Sequence, residues 1–247
     1  ELSGHSTFTI QLSTVSIQAN TDRHGLPERK LNPEFPMSTA AFVVTSLVAL
    51  LHQVETPDWV WFEEGLAYDN ARICEALLAC GRAAEVPAYV EAGLRTLGWL
   101  MQRQTGERGM FRPVGSEGFA DVRQPPRRFD QQPVEAAATI AACLEAARAT
   151  GSTHWQTIAA RAFGWFLGKN DLGVALVDTT TGACRDGLHP DRANENRGAE
   201  SVISYLLGLA DMRQFERLTA TRTDMLATRQ RPHLQPRGRI VPGDIPE

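Results

Sequence analysis

Apolar residues recur at helical spacing over most of the chain. Val43, Val44, Leu47, Leu51 and Val54 share one side of a segment spanning 37–54. Val86, Val90, Leu94, Leu97 and Met101 do so over 85–104, and Trp155, Ile158, Ala162, Trp165 and Phe166 over 153–167. A further stripe of Val202, Tyr205, Leu206, Leu209 and Met212 runs over 199–212. Steps of three and four residues keep such a set on one face of an α-helix. Helices are also expected over 66–80, stopped by Gly81, and over 133–150, stopped by Gly151, with Pro133 tolerated in the first turn. Only 8–17 shows the other period, with Phe8, Ile10 and Leu12 alternating in a Thr- and Val-rich run, and it reads as a strand. Residues 20–36 carry Asp22, Gly25, Pro27, Asn32, Pro33 and Pro36 and read as a loop or linker. From Arg229 onward, Pro232, Pro236, Gly238, Pro242, Gly243 and Pro246 point to irregular chain. The resulting division is an extended segment and linker over 1–34, an all-α domain of helical hairpins over 35–215, and an irregular tail over 216–247.

Composition narrows this picture. The 247 residues are 43% hydrophobic and 22% charged, the balance of a globular domain with a full core, which excludes global disorder. A net charge of −4 and a pI near 5.9 provide no basic face for nucleic acid. Four cysteines, Cys74, Cys80, Cys143 and Cys184, with no C-x-x-C, do not form a disulfide framework; reduced thiols in a cytoplasmic protein are expected, the three helical ones in the core. The chain starts at Glu1 without an initiator Met, as a processed protein or a piece of a longer one would, and shows no signal peptide. Residues 35–54 hold no Lys, Arg, Asp or Glu, yet Ser38, Thr39, Thr45, Ser46, His52 and Gln53 interrupt them, so a buried helix is expected rather than a membrane span.

A weak internal repeat is visible. Ala79-Cys80-Gly81, then Leu97-Gly98-Trp99-Leu100 and Gly109-Met110-Phe111, are echoed by Ala149-Thr150-Gly151, Phe163-Gly164-Trp165-Phe166 and Gly173-Val174-Ala175. One helical hairpin cannot bury its own apolar face, so such units stack, with Trp99 and Trp165 in the core. The long loop always follows the second helix, so the loops gather at one end, where an α/α toroid has its cleft.

Polar residues concentrate before the helices at 66–80, 133–150 and 199–212. The first cluster holds Trp59, Trp61, Tyr68, Asp69, Asn70 and Arg72; the second Asp130, Gln131, Gln132 and Glu135; the third Asp186, His189, Asp191, Asn196 and Glu200. Tyr68 and Arg72, Gln132 and Glu135, and Asn196 and Glu200 are three or four residues apart, so each pair can share a helix face. Carboxylates and amides bind hydroxyls in pairs, and an aromatic stacks on a sugar face. The plainer reading is that Glu135 and Glu200 complement helix dipoles and Asp130 caps a helix, while Trp61 divides evenly between core and ligand. His189, Asp191 and Glu200 suit a metal, but no second His or H-E-x-x-H lies nearby, so no metal is expected. G-x-x-x-x-G-K-[ST], G-x-G-x-x-G and G-x-S-x-G do not occur, and no cofactor is implied.

Several runs resemble blocks of bacterial glycosyltransferases: Trp61 to Arg72, Asp130 to Ala136, Phe166 to Gly173, Asp186 to Arg192 and Asn196 to Ser201. In that group a helical domain of six-hairpin-glycosidase type accompanies a nucleotide-sugar transferase domain, often in one polypeptide. The resemblance spans roughly 35–215 and implies a saccharide ligand and a toroid-like fold. It also implies a glycosyltransferase domain as partner, since nothing in this chain resembles a doubly wound α/β unit. The chain has too few helices for twelve, so the toroid would be partial or completed by further sequence. Three functions follow as expectations. One is glycosidic-bond chemistry, which needs a carboxylic acid and a carboxylate. Glu135 and Asp191 are the favoured pair, with Asp69, Asp130, Asp186 and Glu200 as rivals, and Asn70, Arg72, Gln131, Gln132 and His189 holding hydroxyls. The second is a non-catalytic saccharide-binding or scaffolding domain. The third is a sugar isomerase or epimerase with His189 as acid or base.

Overall fold

The computed structural model describes residues 34–119 and 121–229. The strand expected at 8–17, nearly all of the linker and the chain after Arg229 lie outside them. Among the described residues the fold is all-α, with six α-helices and isolated two-residue bridges in place of strands. These are α1 (Glu34–Val54), α2 (Ala71–Ala83), α3 (Pro87–Arg103), α4 (Pro133–Thr150), α5 (Thr153–Phe166) and α6 (Ala199–Arg229).

Short turns at 84–86 and 151–152 fold α2 with α3 and α4 with α5 into hairpins. α4 lies between α2 and α6, so these three form one layer, while α3 backs α2 and α5 backs α4. α1 packs on α2 and α3, burying Val44 and Leu51 and leaving Phe42 exposed. Every residue of α4 from Pro133 to Ala147 is buried, including Glu135, Thr139 and Glu145. Its eight alanines let neighbouring backbones approach from several sides.

The repeat has a physical counterpart. Trp99 of α3 and Trp165 of α5 are both buried. Each indole N–H reaches back to the loop before the inner helix of its own hairpin. Trp99 donates to the Asp58 carbonyl at 3.3 Å and Trp165 to Oε1 of Gln131 at 2.8 Å. Trp61 stacks on Trp99 with centroids 5.7 Å apart and is itself buried, so it belongs to the core and not to a ligand surface.

α1 starts at Glu34, inside the segment read as a linker, and three further boundaries differ from expectation. α2 starts at Ala71 because Asp69 adopts a left-handed φ of +57°, which ends helical continuity with 66–68. Gly81 lies inside α2 and does not stop it: a Cβ there would press on the backbone and side chain of Val90, so the glycine permits close approach of α3. α6 continues to Arg229, well past 212 and through nearly half of the tail expected to be irregular. Its apolar stripe fades after Phe215, but neither Gly nor Pro occurs between there and Arg229. No helix among the described residues is long and apolar enough to cross a membrane.

Candidate functional site at the start of the inner helices

The loops before α2, α4 and α6 meet. Glu135, in the first turn of α4, is wholly buried. Its Oε1 accepts the Asp69 backbone N–H at 2.5 Å and its Oε2 accepts Asn70 Nδ2 at 3.1 Å. Asn70 is locked in turn, since its Oδ1 accepts from Ala67 N at 2.9 Å and its Nδ2 donates to Ala67 O at 2.6 Å. Burial pushes the Glu135 carboxyl up to about 7, against the pull of Asn70 and the Asp69 amide. The N–H bond to Glu135 also holds Asp69 in its left-handed conformation.

That turn presents Tyr68 at 50% exposure, its hydroxyl against the Glu200 carboxylate at the start of α6. Burial, then Glu200, raises the Tyr68 phenol above its ordinary range. Asp69 is raised mainly by burial, opposed by Arg72, whose Nε lies 3.5 Å from Oδ2. Asp69 Oδ1 is buried with no hydrogen-bond partner. Arg72 also donates to Glu75 Oε2 at 2.5 Å. Glu75 feels Asp211 of α6 and Glu145 of α4, and Asp211 feels Arg148 and Arg72, so the charged surface continues along all three inner helices. Sequence reasoning missed Glu75 and Asp211; Glu75 stands three residues after Arg72 and was open to discovery by that spacing.

A second pair lies in the loops before α4 and α6. His189 Nδ1 and Asp130 Oδ1 are 3.3 Å apart, and both side chains are partly exposed. Burial raises Asp130, the imidazole lowers it and Glu117 raises it. Asp186 Oδ1 accepts the Gly198 N–H at 2.6 Å and its own N–H donates to the Asn196 carbonyl at 2.9 Å, shaping the approach to α6. Gln132 is the residue preceding α4 and makes no side-chain cap; the Asn196 side chain is exposed.

Besides Trp61, four expected site residues fall elsewhere, beginning with Asn70, which is buried with its amide taken up by Ala67 and Glu135. Gln131 is buried; besides accepting from Trp165, it donates to Asp171 Oδ2 at 2.6 Å, so it joins loops inside the protein. Asp171 in turn receives Arg112 and Arg128. Asp191 is 71% exposed and paired with Arg192 at 2.8 Å, not half-buried beside an aromatic. Glu135 has no exposed surface and both oxygens are occupied, so it orients the Tyr68–Asn70 turn and does not face a ligand. The pairing of Glu135 with Asp191 expected from the sequence therefore joins a core carboxyl to a surface one.

A cavity of about 850 Å³ lies elsewhere, lined by Gly81, Arg82, Val90, Glu91 and Leu94 around the α2–α3 turn. Among the described residues no group of three or more His, Cys, Asp or Glu is arranged to hold a metal ion. The chain matches no protein-family profile and no curated protein sequence, so this surface is characterised by its own geometry.

Proposed function

We propose that this chain is a carbohydrate-binding domain of α/α-toroid type, glycosidase-like and accompanying a glycosyltransferase domain. The saccharide lies on the surface made by Tyr68, Asp69, Arg72 and Glu200. The observation that carries this reading is the half-exposed Tyr68 ring beside the Glu200 and Asp69 carboxylates, Asp69 itself being paired with Arg72, on a turn fixed from beneath by Glu135. A sugar offers an apolar face for such a ring and hydroxyls that donate to carboxylates and accept from arginine. The test is titration of the protein with a panel of oligosaccharides, followed by amide shifts. Binding should perturb Tyr68, Asp69 and Glu200, and Tyr68→Ala should abolish it. No response across the panel, or binding untouched by Tyr68→Ala, overturns the reading.

A hydrolytic role for the same surface is favoured by one further observation. Burial raises the Asp69 carboxyl, whereas Glu200 is exposed, and an acid–base pair needs such unequal environments. In that case Asp69→Asn removes turnover while affinity stays within about tenfold. A wild-type protein that binds without turnover is the binding domain alone.

A further inference from the structure

The contact between Asp130 and His189 is built by the backbone. Gln131 and Leu188 exchange both main-chain hydrogen bonds, Gln131 N to Leu188 O at 3.0 Å and Leu188 N to Gln131 O at 2.9 Å. They therefore form the hydrogen-bonded pair of a short antiparallel bridge. The next residues in register are Asp130 and His189, the close, non-hydrogen-bonded pair, whose side chains share one face. Side chains alternate across such a bridge. Gln131 and Leu188 are wholly buried, so Asp130 and His189 must point outward, as their partial exposure agrees.

Both partners are pinned on their other sides. The Asp130 carbonyl accepts the Ser116 N–H at 2.9 Å. The His189 N–H donates to the Arg192 carbonyl at 2.9 Å, closing a tight turn with Pro190 at its first corner. Leu188 also bridges to Ala193, so His189 leaves a doubly anchored residue. This rigidity exceeds what a surface ion pair ordinarily has, because neither side chain is placed by its own freedom alone. Asp130 Oδ1 is buried and makes no hydrogen bond, and His189 Nδ1 stands within ion-pair range of it at 3.3 Å. The charged groups on the elements around the pair are Asp130 itself from the α4 approach, Glu117 from the 3₁₀ turn Ser116–Gly118, which acts on Asp130, and Asp191 and Arg192, paired with each other in the turn after His189.

We infer that Asp130 and His189 form a pre-organised proton-accepting site, in which the carboxylate holds the imidazole with its proton on Nδ1 and leaves Nε2 as an acceptor for a ligand hydroxyl or water. Asp130 is the positioning residue and His189 the proton acceptor. A carboxylate on one ring nitrogen selects the tautomer of the other, and that arrangement makes histidine an oriented base. The site does not depend on the saccharide reading, since Tyr68 and Glu200 take no part in it.

The experiment needs no ligand. Imidazole ¹⁵N shifts of the full chain report which ring nitrogen of His189 carries the proton, and diethyl pyrocarbonate followed by peptide mass mapping reports whether its free nitrogen is nucleophilic. Wild type should show the Nδ1–H form and acylation of His189. Asp130→Asn should shift the population toward Nε2–H and slow acylation several-fold, while Asp130→Glu should restore part of both. A wild-type His189 in the Nε2–H form, resistance to acylation, or an Asp130→Asn variant with unchanged tautomer overturns the proposal. Should Asp130→Asn not fold, the wild-type tautomer alone decides.

Discussion

Glu135 shows how one residue can look catalytic in a sequence and act structurally in a fold. It stands where an acid would be sought, three residues after Gln132 at a helix start, and burial does lift its carboxyl to about 7 from 4.5. The same burial removes it from any ligand. Because its folded pKa is raised, the native state binds the extra proton between about pH 4.5 and 7. Its contribution is therefore most favourable below that window and is lost as pH rises through it, by roughly 3 kcal/mol. Carboxylates with depressed values, such as Asp171 under Arg112 and Gln131, work in the opposite sense, losing their contribution as pH falls below the ordinary carboxylate range. For Glu135→Gln, an amide would face Asn70 Nδ2, and Asn70 cannot flip because Ala67 holds both its ends. That mismatch costs about 1–3 kcal/mol. Urea unfolding should thus find the variant less stable than wild type at pH 5, with the gap closing by pH 8. A gap that does not vary with pH would show that Glu135 does not titrate in this window. Tyr68 behaves differently: Tyr68→Phe should leave unfolding within about 0.5 kcal/mol of wild type, because the ring is half exposed and only its hydroxyl is lost.

Among elements, the paired tryptophans are the best test of the repeat. Trp99→Ala and Trp165→Ala should each cost about 3–5 kcal/mol, by lost burial and a residual cavity. Trp165→Ala should in addition loosen Gln131 and hence the loop before α4, visible as faster amide exchange there. The bridge between the α4 and α6 approaches is equally exposed to a single change. Gly187 has φ +147°, a region L side chains rarely adopt, and a Cβ would overlap the Gln131 carbonyl. Gly187→Ala should therefore destabilise by at least about 2 kcal/mol, measured by denaturant unfolding, and separate His189 from Asp130. α4, α5 and the start of α6 were legible from punctuation alone: Pro133, Gly151, Thr153 and Ala199 mark their bounds. The start of α2 was not, because Glu135, 65 residues away along the chain, holds the turn that precedes it. Nor was the end of α6, where helix-forming residues run on past the apolar stripe.

At the level of the molecule, stability should be graded outward from α4. It is buried along most of its length between α2, α5 and α6, so its amides should exchange only on global unfolding. Residues 216–221 of α6 are exposed and should exchange faster than the amides of α4, as native-state hydrogen exchange will report. Protection in that stretch equal to that of α4 would reveal a further partner for α6, whose Ile203, Leu206 and Leu207 are also exposed. The amino-acid sequence by itself determined the all-α class, the hairpin repeat, the buried Trp99 and Trp165 and the three polar clusters before the inner helices. Each is written in periodicity, composition and local stop signals, which act over a few residues. Tertiary structure decided which members of those clusters face outward. Gln131, Trp61 and Glu135 turned into the core, whereas Tyr68, Asp69 and the Asp130–His189 pair stayed at the surface. Whether a polar side chain is a connector or an outward-facing group depends on partners 40 to 70 residues away, such as Asp171 for Gln131 and Asn70 for Glu135, which local pattern does not encode.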